Sequence, residues 1–248
     1  MKPIVCKFGG SSLADGTNIL KVCEILKSDP NRKYAVVSAP GKRYSGDTKV
    51  TDLLYQCFRE ATEKGDCSET FAKIRKRFTS IVEELDMSGF HIAEILDETE
   101  KQIDEQRSAD FTASRGEYLN ARVIAAKLGW KFVDAKDIIF FDGSGALDEK
   151  RTYAEIAKHL DGCDGAVIPG FYGSDPDGNV TTFSRGGSDI TGSLVAKAVH
   201  ADLYENWTDV SGFLVADPRI VKDPAVIETI TYRELRELSY MGATVLHE

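Results

Sequence analysis

Two short stretches join a glycine pair to a cation: Lys7, Gly9, Gly10, Ser11 and Ser12 near the N-terminus, and Arg185, Gly186, Gly187, Ser188 and Asp189 far along the chain. Glycines with open N–H groups just ahead of a helix make a cradle for anions, and the lysine and arginine each add a full positive charge. Together the two loops could supply many donors to phosphate oxygens. Ser188 and Asp189 would open the following helix, bringing its positive end to the same place. Taken alone, each stretch also reads as a tight turn or an ordinary loop-to-helix junction. Neither has the G-x-x-x-x-G-K-[ST] spacing of a Walker loop, and no G-x-G-x-x-G occurs.

The segments around these loops alternate between strand and helix patterns. Pro3–Phe8 is a short β-prone run, followed by helical spacing over Asn18–Lys27. Tyr34–Gly41 reads as a second buried strand, and Lys42–Lys49 as a polar, mobile connection. Helical spacing returns over Val50–Ala61 and Ser68–Gln106, the latter broken near Ser88 and Gly89, with its charges expected on a solvated face. A helix over Glu117–Leu128 and strand material over Lys131–Asp142 come next, then a strand over Gly165–Phe171 and a hairpin around Asp177 and Gly178. A helix after Arg185, a strand from Leu203 and a late helix from Thr231 complete the pattern. Alternation of this kind implies an α/β fold, a three-layer αβα sandwich with a mainly parallel central sheet. Ligands of such sheets bind beyond the carboxyl ends of the strands. That edge would gather Lys7, Ser38, Glu117, Arg185, Asp189, Thr208, Asp209 and Arg219.

Composition narrows the chemistry. The 248 residues carry a formal charge of −9, so general affinity for nucleic acid or anionic membrane is not expected, and any anion must be met by a local cluster of donors. Five cysteines, with no C-x-x-C spacing, indicate neither a disulfide framework nor a zinc site. The N-terminus shows no signal-peptide pattern and no stretch is long and apolar enough to span a membrane, which points to the cytoplasm.

The stretches CKFGGSS, SRGEYLNARV, FSRGGSDITGSLVAKAVHAD, NWTDVSGFLVADPR and YMGATVLHE resemble aspartate kinase, within the amino acid kinase superfamily. The likeness runs from Lys7 to the last residue and is weakest over about residues 65–107. It implies transfer of the ATP γ-phosphoryl, with Mg²⁺, to the β-carboxylate of L-aspartate, the first step towards lysine, threonine and methionine. Such a reaction is chiefly positioning and charge neutralisation. Two unit charges ~4 Å apart at an effective dielectric of ~20 repel by roughly 4 kcal/mol.

By the same resemblance Lys7, with Gly9, Gly10 and Ser11, would hold the transferring phosphoryl, and Asp189 would orient Lys7 or organise the phosphates. Arg185 would fork onto the α-carboxylate of aspartate, beside Gly186, Gly187 and Ser188. Glu117 would pair with the α-ammonium, with Ser38 and Thr51 close by. Thr208 and Asp209 would meet the nucleotide, Arg219 its phosphates, and Leu214 stands where the family usually has an aromatic residue. Thr51 also reads as a helix-start residue and Arg219 as a loop anchor. Paired regulatory ACT domains, carrying most of a homo-oligomer contact, would be expected beyond Glu248. The alternatives are another small-carboxylate kinase of the superfamily and a sensor that binds amino acid or nucleotide without transfer.

Overall fold

Strands β1 (Ile4–Phe8), β2 (Arg32–Val37), β3 (Lys131–Phe132), β4 (Ala166–Pro169), β5 (Tyr172–Ser174), β6 (Val180–Thr182) and β7 (Leu203–Trp207) alternate with helices in a computed structural model of the chain. The helices are α1 (Gly16–Ser28), α2 (Val50–Lys64), α3 (Ser68–Glu84), α4 (Ile92–Gln106), α5 (Ala109–Leu128), α6 (Glu149–Leu160) and α7 (Gly187–Ala198). The structure describes residues 2–184, 186–208, 212, 214–215, 220–231, 233–234 and 236–237. The chain divides into two units, Met1–Trp207 and Thr208–Glu248.

The first unit is built on a five-stranded sheet in the order β3-β4-β2-β1-β7, every neighbouring pair parallel. Side chains of a strand alternate between faces. Cys6, Phe8, Ala35, Val37 and Val167 therefore enter one core with residues of α1 to α5. Val5, Val36 and Ile168 enter a second core with Ile156 and Leu160 of α6 and Leu194 and Val195 of α7. The three-layer αβα arrangement read from the sequence is the one observed. Fully buried Leu54, Phe71, Ile74 and Phe78 pack α2 and α3 over the first core. Each such side chain contributes about 1.5–3 kcal/mol.

Local chemistry sets the helix ends that matter for the site. Helix α5 starts where the Ser108 side chain accepts from the Phe111 N–H, and stops at Gly129, whose φ of 69° suits glycine. Nearly its whole circumference is buried, yet it carries Thr112, Ser114, Arg115, Glu117 and Asn120 inside. Buried polar groups in such a helix require partners or a task.

The structure departs from the sequence reading in several places. Helix α5 begins eight residues before Glu117. The second strand ends at Val37. Of Lys131–Asp142, only Lys131–Phe132 pairs as a strand in the sheet. Asp134 accepts from the Lys136 N–H and caps a 3-10 turn over Ala135–Asp137, while Phe140 and Phe141 make isolated bridges. Helix α6, absent from that reading, opens on Asp148, which accepts from the Arg151 N–H. Arg77 of α3 is 5% exposed, against the expectation of a solvated charged face. In the second unit Leu214 bridges Val226. Thr231 and Glu234 bond reciprocally, capping the late helical residues 233–234 and 236–237.

Candidate active site

Lys7 lies on the α7 side of β1, because Cys6 and Phe8 point into the opposite core. Its Nζ stands 3.0 Å from Asp189 Oδ1 in the first turn of α7, with side-chain exposures of 12% and 23%. This ion pair brings the two glycine-rich stretches together across the carboxyl edge of the sheet. The Gly9 N–H donates to Trp207 O, and Ser12 and Leu13 donate to Gly9 O and Gly10 O. Among the described residues no acceptor meets the N–H groups of Gly10 and Ser11. Those two amides remain open donors next to a half-buried lysine, whereas Gly9 has its own acceptor.

Backbone contact fixes the neighbouring loop. The Gly41 N–H donates to Gly10 O at 2.8 Å, and a Cβ on Gly41 would come 2.7 Å from the carbonyl carbon and oxygen of Gly10. On the far side, a Cβ on Gly187 would lie 2.7 Å from Phe171 Cα. Only glycine allows either approach.

Ser38 joins three elements at the strand ends. Its N–H donates to Phe8 O, its carbonyl accepts from Asn120 Nδ2 at 2.8 Å, and its Oγ lies 3.1 Å from Ser188 Oγ. Glu117, one turn before Asn120 on α5, is 5% exposed and its Oε2 has no hydrogen-bond partner among the described residues. Burial pushes its carboxyl up to about 8, against a smaller downward pull from the Ala39 backbone N–H and the Arg115 charge. Asn120 Oδ1 is likewise buried and without a partner among the described residues. A carboxyl and an amide oxygen on successive turns of one helix face form an acceptor-rich wall, suited to a cationic donor such as an ammonium.

Thr51 sits in the first turn of α2, half-buried, with no contact to the other site residues among the described bonds. Gly186 is the αL residue that starts α7, with φ 57°. Arg185, Asp209 and Arg219 lie outside the described residues. Thr208 and Leu214 belong to the second unit. The sequence reading missed Asn120, whose i, i+3 spacing from Glu117 could have flagged it. It also missed Tyr204, whose buried hydroxyl has no partner among the described residues. Burial, and then the negative Asp189, push that hydroxyl's pKa up. A cavity of about 490 Å³ beside the β5–β6 hairpin, with Lys136, Arg151 and His159 in its wall, shares none of these residues.

The sequence profile described as the amino acid kinase family matches residues 2–248. The chain belongs to that family. Aspartokinase 3 of Bacillus subtilis is 42% identical over 258 residues, covering 98% of this chain and 57% of its own length. The crystal structure of Clostridium acetobutylicum aspartate kinase superposes with a TM-score of 0.94 at 53% identity, over 100% of this chain and 56% of that one. Escherichia coli aspartokinase III, in a structure with aspartate and ADP, gives a TM-score of 0.83 at 29% identity, over 99% and 58%. The chain thus spans a little over half the length of these members of the amino acid kinase family.

Proposed function

We propose that the protein phosphorylates the β-carboxylate of L-aspartate with ATP, giving 4-phospho-L-aspartate and ADP. The observation that carries this reading is the Lys7–Asp189 pair, closed at 3.0 Å where the two glycine-rich loops meet. Relatives named aspartokinase, and one solved with aspartate and ADP, support the choice of substrates.

In this proposal the bond from the γ-phosphorus to the bridging β,γ-oxygen breaks as one forms to a carboxylate oxygen of aspartate. The acceptor is already deprotonated, so no general base is required. The task is to hold two anions together, and Lys7 with the Gly10 and Ser11 amides would oppose their repulsion of roughly 4 kcal/mol per charge pair. Asp189 holds the Lys7 ammonium in place. Glu117 and Ser38 take the amino-acid end, and Arg185, with Gly186, Gly187 and Ser188, takes its α-carboxylate. Thr208, Asp209, Leu214 and Arg219 meet the nucleotide.

No group of three or more ligating side chains forms a metal cage among the described residues. Asp189, a carboxylate at the phosphate end of the site, fits the family's Mg²⁺ in the manner usual for that ion, one protein oxygen beside the nucleotide phosphates. There the ion would neutralise phosphate charge. The same reading treats residues 1–248 as one catalytic domain of a cytoplasmic homo-oligomer supplying lysine, threonine and methionine synthesis.

Hydroxylamine trapping of the acyl phosphate tests the assignment. Wild-type protein should form aspartyl hydroxamate, and Lys7→Ala should lose at least about 100-fold in kcat with an unchanged circular-dichroism spectrum. Tight binding of ATP and aspartate with no hydroxamate would instead identify a sensor.

A further inference from the structure

Helix α3 lies in the segment where the family resemblance is weakest, yet it grips both loops that flank the lysine. Arg77 Nη1 donates to Ala14 O at 3.3 Å and to Gly41 O at 3.0 Å. Its Nη2 bonds the Asp47 carboxylate and reaches Thr48 O at 3.4 Å. Two turns further on, Glu84 Oε2 accepts from the Gly16 N–H at 2.8 Å. Asp47 is also held by Arg43, through the Nε at 2.8 Å and the backbone N–H at 3.0 Å. The Lys42–Lys49 connection, expected to be mobile, is folded around these two arginines.

We infer that Arg77 is a positioning residue for catalysis: by anchoring Ala14, Gly41, Asp47 and Thr48 together it sets the spacing between the Gly9–Ser11 phosphate turn and the Ser38–Thr51 loop of the amino-acid side. The link is short. Arg77 holds Gly41 O, and the Gly41 N–H holds Gly10 O. In a trans peptide the N–H points opposite to the C=O. Drawing the Gly41 and Thr48 carbonyls towards Arg77 turns the Lys42 and Lys49 N–H groups away from it, and neither has an acceptor among the described residues.

A buried guanidinium is costly to place, so a role limited to filling space would be met more cheaply by an apolar side chain. A planar fork with five donors suits the task of collecting three carbonyls and a carboxylate from two loops. The lysine alternative has three donors at one point and cannot span them.

The inference rests on the kinase reading, and the test separates the two. Arg77→Met, Arg77→Lys and Asp47→Asn are made in the full chain and assayed by hydroxamate trapping, at least 15 °C below each melting midpoint (an operating margin of roughly this size keeps the folded fraction near one). Arg77→Met should lower kcat per folded site about 10- to 100-fold, with KM for ATP and for aspartate each changed less than about 3-fold. Arg77→Lys should recover part of that loss, and the Arg77→Met and Asp47→Asn effects should be strongly non-additive in the double variant. A lowered melting midpoint with wild-type kcat in Arg77→Met would overturn the inference and leave Arg77 a structural residue. If Arg77→Met does not fold, Arg77→Lys decides on the same kcat criterion. Absence of hydroxamate from the wild type refutes the kinase reading alone. In that case amide exchange over residues 39–50 decides: faster exchange there in Arg77→Lys, with the rest of the chain unchanged, supports the inference, and unchanged exchange refutes it.

Discussion

Replacing Glu117 by glutamine isolates the most perturbed carboxyl of the site. The folded protein holds its proton up to about pH 8, against an ordinary value of 4.5. The unfolded chain releases that proton as pH rises past 4.5, while the folded state retains it. The unfolded state therefore binds fewer protons between these limits, and stability falls as pH rises through the window. At ~1.4 kcal/mol per pH unit the loss from pH 4.5 to 8 amounts to about 5 kcal/mol, an order-of-magnitude upper bound. Glutamine is neutral throughout and has no such slope. Chemical denaturation at pH 5, 6, 7 and 8 should show the wild type losing stability relative to Glu117→Gln by roughly 1 kcal/mol per unit. Groups such as Asp47, whose carboxyl is held below the usual range by Arg43 and Arg77, titrate in both proteins and cancel in the difference. Parallel profiles for the two proteins would refute the argument that a desolvated carboxyl faces the Ser38 end of the site. On the kinase reading the arriving ammonium displaces this proton. Calorimetry of aspartate binding at pH 7, in buffers of different ionisation heat, should then register release of nearly one proton, and KM for aspartate should fall as pH rises from 6 to 8.

Asp189→Asn should leave the fold intact and lower kcat by about 10- to 100-fold, with smaller changes in KM, because the lysine loses the partner that orients it; hydroxamate kinetics check this. Gly41→Ala drives a Cβ to 2.7 Å from Gly10 backbone atoms, which cannot yield by changing rotamer. It should cost about 1–3 kcal/mol, lower the melting midpoint by several degrees and depress activity in the folded protein, as calorimetry and turnover would show. Phe78→Ala empties a fully buried position on α3 and should cost about 3–5 kcal/mol in a urea titration with no selective effect on either KM.

Much of the frame was legible because it rests on periodicity. Ile4–Cys6, Tyr34–Val37 and Ala166–Pro169 are continuous apolar runs that can only be covered on both faces, and that covering forces a parallel sheet with its loops on one edge. Lys7 and Asp189 could be placed on that edge before any coordinates, although 182 residues separate them in the chain. Other features have no local signature. Ile138–Phe141 looks like a strand by hydrophobicity, but Phe140 and Phe141 meet Ser174 and Leu147 only through isolated bridges, and the Phe140 N–H donates to Thr152 Oγ1 instead of to a neighbouring strand. Arg77 reads as one more charge on an amphipathic helix until the carbonyls of Ala14 and Gly41, 63 and 36 residues away, are seen around it. The unpartnered oxygens of Glu117 and Asn120 depend on how completely α5 is enclosed, which no window of sequence records.

The place of β1 in the sheet bears on biosynthesis. It is flanked by β2, which follows directly, and by β7, which pairs Ile4–Phe8 with Leu203–Trp207. A ribosome adds residues from the N-terminus onward, so the first strand emerges long before its second neighbour exists. Until Trp207 has left the ribosome, one side of β1 presents an unpaired row of backbone groups to other nascent chains. This strand is thus among the last parts of the sheet to be finished, and chaperone dependence during translation should be concentrated there.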